Sequence, residues 1–143
     1  RAALEERAAG LGIGGRVIIV DAIPHRLMAE YLRLADMVVS VPESDSFPVA
    51  VQEAMATGVP VVTSDLPAAR AALEELAPDA LVPVGDVDAT ATALQRAIEL
   101  APDERHAIGL LLREQVVAHG DYRSNMEIME DLYRNLVVAT GRA

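Results

Sequence analysis

Two carboxylates eight residues apart, Asp45 and Glu53, flank the segment Ser46-Phe47-Pro48-Val49-Ala50. A polar loop followed by Pro48, an apolar stretch to Thr57 and then Gly58 has the start and stop residues of a helix. Such a helix aims the free N–H groups of Val49 and Ala50, and the positive end of its dipole, out of its first turn, which suits a phosphate group. Pro48 gives up only an N–H that has no helical acceptor anyway. Glu53 falls about one and a half turns into the helix. A carboxylate there can accept two hydroxyl hydrogen bonds, as a ribose 2′,3′-diol offers. A plainer reading fits the same residues, with Asp45 as the helix N-cap and Glu53 as a half-buried side chain paired to an Arg. Spacing alone leaves both open.

The other chemical side chains give thinner patterns. His25, His106 and His119 are far apart in sequence and form no metal-binding spacing. His25 can touch a ligand, His106 and His119 read as helix-surface residues, and Phe47 packs either under its loop or against a sugar. Asp86 and Asp88 have the spacing of a metal-binding DxD, but a helix follows them, which favours capping. No metal is expected. All 12 basic residues are Arg, so no P-loop of the Gly-Lys-Ser/Thr type exists. Cys is absent, which rules out disulfides, thiolate metal sites and a cysteine nucleophile. A net charge of −10 argues against general affinity for nucleic acid or anionic lipid.

The elements that must position these residues alternate between short apolar runs and helical periods. With 143 residues, 52% of them hydrophobic, this predicts one α/β domain spanning 1–143, of Rossmann-like three-layer αβα build. Strands are expected at residues 16–20, 37–41, 59–63 and 80–84, in a parallel sheet. Helices are expected near 1–7, through the stripe Leu27, Tyr31, Leu34 and Ala35, and over 48–57, 67–76, 89–100 and 102–120. A last helix is expected behind a Ser124/Glu127 capping box, with Met129, Leu132, Tyr133 and Leu136 facing inward. Open parallel sheets bind ligands beyond the carboxyl ends of their strands, which directs attention to residues 21–25, 42–48, 64–67 and 85–88.

The stretch Ala35-Asp36-Met37-Val38-Val39-Ser40-Val41-Pro42, then Asp45-Ser46-Phe47, then Glu53-Ala54-Met55-Ala56-Thr57-Gly58-Val59-Pro60-Val61-Val62 resembles the C-terminal half of a GT-B glycosyltransferase. The match is to the retaining group of family four, and the likeness extends over about residues 5–138. It implies a nucleotide-sugar donor site, with no metal and no other cofactor. Glu53 then binds the donor ribose, and Asp45, in the place of the family's first Glu, contacts the donor sugar from one methylene farther back. Backbone groups of Ser46, Phe47, Pro48, Val49 and Ala50 hold sugar and diphosphate, and Asp21, Ala22 and Ile23 seat the base.

Departures from that pattern set further expectations. Asp65-Leu66-Pro67-Ala68-Ala69-Arg70 stands where the family often has a Gly-Gly turn and a Glu. The family's first two βα units and its acceptor domain have no counterpart, so the chain reads as the interior of a longer parent. In the 3-2-1-4-5-6 strand order, residues 16–20 then lose their neighbours. They are expected to pair directly with the next strand or with another chain, giving a homo-oligomer through an exposed edge. The resemblance implies a part of an enzyme that moves a sugar from a UDP-, GDP- or ADP-sugar to a hydroxyl acceptor, inactive alone and cytoplasmic, its parent peripheral to the inner membrane face. The alternatives are a GT-B-like scaffold without donor binding and, ranked lower, a nucleotide-sugar epimerase.

Overall fold

The protein is described by a computed structural model covering residues 1–46 and 48–139. Three parallel strands, β1 (Val38–Ser40), β2 (Val61–Ser64) and β3 (Leu81–Val82), form one sheet in the order β1-β2-β3. Val38 lies opposite Val61 and Ser40 opposite Thr63, while Thr63 and Ser64 lie opposite Leu81 and Val82. All four residues of β2 are buried, as a strand covered on both faces should be.

Helices α3 (Val49–Ala56), α4 (Pro67–Leu73), α5 (Val87–Glu99) and α6 (Pro102–Gly120) cover that sheet. Because strand side chains alternate, Val61 and Val62 point to opposite faces. Val61 joins Val51, Ala54, Met55, Leu73 and Leu112, contributed by α3, α4 and α6. Val62 joins Val82 and Ala93 of α5, with Met37 and Leu94 beside them. The sheet therefore sits between two helical layers, the αβα arrangement expected. Asp86 caps α5 through a 2.8 Å bond from the Ala89 N–H, and Glu104 reaches back to the Ala101 N–H at the start of α6.

Three expectations fail. Residues 16–20 form no strand: a 3₁₀ turn takes Gly14–Arg16, Val17 is extended, and residues 17–20 join no ladder among the described residues. Ile18 is 86% exposed. Helix α2 (His25–Arg33) follows the expected stripe only in part: Leu27 and Ala35 are half-buried. Leu34 is 83% exposed and Tyr31 is also exposed, while Leu32, off the expected stripe, packs against the core. In α7 (Tyr122–Ala139) the residues expected to face inward, Met129, Leu132, Tyr133 and Leu136, are all exposed. Its cap is Asp121, three residues before Ser124, whose Oδ1 accepts from both the N–H and the hydroxyl of Ser124. At the other end of the chain, α1 (Ala2–Gly10) buries only Ala8.

Candidate functional site

The loop leaving β1 runs from Val41 to Pro48, the N-cap of α3. The N-cap position is Pro48, not Asp45, and no side-chain capping hydrogen bond is made there among the described residues. This removes one plain reading, in which Asp45 served as the N-cap. The carbonyl of Pro48 accepts from the N–H groups of Val51 and Gln52, which starts the helical ladder. The N–H groups of Val49 and Ala50 meet no acceptor among the described residues. They remain directed out of the first turn at the positive end of the helix dipole. Gly58, at φ 76°, ends the helix in the left-handed conformation that glycine adopts without penalty.

Pro48 is buried and fixes where the helix begins, while Asp45, Ser46, Val49 and Ala50 are exposed. Phe47 lies outside the described residues. Glu53 projects from α3 with its side chain 26% exposed. The side chain within ion-pair distance of it is not an Arg, as the plain reading had it, but His25, whose Nδ1 lies 3.5 Å from Glu53 Oε1. His25 is the first residue of α2, directly after Pro24. Helices α2 and α3 pack together, and the His25–Glu53 contact joins the 21–25 segment to the α3 end of the 45–53 segment. Two sequence-predicted regions thus meet, through residues 28 apart in the chain. Of the first region, Ile23 is half-buried, and Asp21 and Ala22 are exposed. Asp21 also accepts a 3.0 Å hydrogen bond from Arg1.

At the exit from β2, Arg70 clasps Asp65 with two hydrogen bonds, Nε to Oδ1 at 2.7 Å and Nη2 to Oδ2. The guanidinium beside it holds the Asp65 carboxyl below the usual carboxylate range. Nothing in the sequence pattern singled out this pair, although its five-residue spacing across a Pro-started turn is a recoverable signal. Thr63 and Ser64, at the carboxyl end of β2, are buried with hydroxyls that find no partner among the described residues. The expected capping role of Asp86 holds, so the DxD spacing is accounted for by the start of a helix.

A family model described as Glycosyl transferases group 1 matches residues 1–110. The chain is 33% identical over 109 residues to a D-inositol 3-phosphate glycosyltransferase of Geodermatophilus obscurus, covering 73% of this chain and 24% of that one. It is 30% identical over 133 residues to a protein of the same name from Corynebacterium urealyticum, covering 93% and 31%. Among solved structures it resembles a sucrose-phosphate synthase from Thermosynechococcus elongatus, with a TM-score of 0.81 and 31% identity over 95% of this chain and 34% of that one. The chain thus spans only a quarter to a third of the length of these relatives. The matched segment includes β1, α3 and β2, the elements that carry the motif and build the loop and helix described above. The chain belongs to the group 1 glycosyltransferases, as part of the Rossmann-like C-terminal domain of the GT-B fold.

Proposed function

We propose that this chain is the donor-binding part of a retaining glycosyltransferase. The observation that carries the reading is the pairing, on one helix, of open N–H groups at Val49 and Ala50 with the half-buried Glu53 carboxylate. A nucleoside diphosphate sugar presents matching groups: an anionic diphosphate for the helix N-terminus and a ribose diol for Glu53. Asp45 then lies toward the donor sugar, and Asp21, Ala22 and Ile23 line the base. In the full reaction the bond between the anomeric carbon and the diphosphate oxygen breaks, and the nucleoside diphosphate leaves with the bonding pair. The acceptor oxygen forms the new bond and passes its proton to the departing diphosphate oxygen, and the anomeric configuration is retained. This part contributes by holding the leaving diphosphate in a fixed electrostatic environment and fixing the sugar in place. Since the chain spans a quarter to a third of its relatives, the isolated chain is expected to bind donor and transfer nothing.

The test is an amide NMR titration with UDP, GDP and ADP in parallel, repeated on Glu53→Ala. Shifts confined to residues 21–25 and 45–53, strongest for one base, support the reading. Loss of a carboxylate that accepts ribose hydroxyls should weaken binding about tenfold or more, as hydrogen bonds to charged groups do. No response to any nucleotide at millimolar concentration would favour the scaffold alternative.

A further inference from the structure

Glu53 is half-buried, but its long side chain still has several rotamers open to it, and the useful one has to be held by something. An unrestrained Glu samples many rotamers, and fixing one costs side-chain entropy. His25 is placed to supply that restraint. Pro24, with φ −56° and ψ 132°, sets the entry into α2 and puts His25 at its first helical position. The packing of α2 on α3 brings the imidazole Nδ1 within 3.5 Å of Glu53 Oε1. The His25 side chain is 90% exposed, so it is not there to fill the core. Contact through one carboxylate oxygen leaves the other lone pairs of Glu53 available to hydroxyl donors.

From this geometry we infer that His25 is a positioning residue of the donor site: it holds the Glu53 carboxylate in the orientation that receives the ribose hydroxyls. The inference rests on the reading of Glu53 as the ribose ligand. The role requires the Nδ1–H to donate to Oε1 across a separation that stands at 3.5 Å. The effect on affinity comes from pre-ordering, because the ligand no longer has to fix the carboxylate itself. His25 needs no direct bond to the nucleotide for this.

A double-mutant cycle separates this role from others. Calorimetric affinities for the preferred nucleoside diphosphate are compared in the wild-type chain, His25→Ala, Glu53→Ala and the double variant. His25→Ala is expected to weaken binding about threefold to fivefold, the size of one exposed polar contact. In the Glu53→Ala background the same change should have no further effect. His25→Asn, whose side-chain amide can donate from nearly the Nδ1 position, should restore most of the loss. A His25→Ala effect of equal size in both backgrounds, or none in either, overturns the inference while leaving the donor site standing. Failure of the wild-type chain to bind any nucleotide overturns both, and is read from the first titration alone.

Discussion

Asp65 and Arg70 face each other across the first turn of α4, immediately after the central strand. Both are on the surface, so the pair acts through geometry and charge more than through burial. The sign of its pH effect is nonetheless fixed. The Arg70 hydrogen bonds lower the Asp65 pKa in the folded chain, and the Ser124 N–H and hydroxyl do the same for Asp121 at the start of α7. A carboxyl whose folded pKa is depressed adds stability above its unfolded pKa, near 3.9, and loses it as pH falls through the lower folded value. Thermal midpoints should therefore be flat from pH 7 to about 5 with respect to these two groups, then decline below about 4. Asp65→Asn should make the acid decline shallower. A scan showing an unchanged slope in that variant would remove Asp65 from the account.

Among the elements, α3 and α6 make the closest helix contact, and glycine sets its spacing. The Gly109 backbone on α6 lies against Gly58, the residue that ends α3. A Cβ built at Gly109 would stand 2.1 Å from the Gly58 carbonyl oxygen, a clash with backbone that no rotamer relieves. Replacing a mid-helix Gly by Ala normally stabilises by roughly 0.5–1 kcal/mol. Here overpacking, typically 1–3 kcal/mol, should win and reverse the sign. Gly109→Ala is expected to lower the unfolding midpoint by several degrees, whereas Ala at the exposed Gly10 should not. Asp86→Ala should cost about 1 kcal/mol through the lost α5 cap, measured in the same denaturation series. The two cases differ in how far they were legible in the sequence. The Asp86 cap is local chemistry, readable from residues 86–89, as were β1, β2, α3 and α6, whose signals lie within each segment. The Gly58–Gly109 crossing and the His25–Glu53 contact depend on which helices lie side by side, which no local pattern encodes. Residues 16–20 show the opposite failure: their composition suits a strand, but a strand exists only where a partner edge lies beside it.

For the molecule as a whole, the exposed surface is the informative quantity. The chain presents 10389 Å² of accessible area, about 3,000 Å² more than the roughly 7,100 Å² expected of a compact monomer of its mass. Large apolar side chains are exposed at several places, among them Val17, Ile18 and Val20, Val39 of β1 with Val41 just after it, and Met129, Leu132 and Tyr133 on α7. An open strand edge beside exposed apolar side chains is a template for association. The excess exceeds the 1,200–2,000 Å² that a stable interface removes from water. Opposing this is a net charge of −10 on each copy, which repels at long range. The balance predicts an unusual salt dependence. Raising ionic strength from about 0.01 M to 0.15 M shortens the screening length from roughly 30 Å to 8 Å, weakening repulsion while leaving apolar attraction in place. Sedimentation velocity on the isolated chain should therefore show self-association that strengthens with salt, the reverse of an interface held by ion pairs. Ile18→Lys and Val39→Lys change exposed side chains and put charge on the 17–20 run and the β1 edge, where Lys discourages edge pairing. Each should shift the chain toward monomer without lowering its unfolding midpoint. A chain that stays monomeric at every salt and protein concentration would show that these surfaces do not bring copies together, and would sink the edge-paired oligomer.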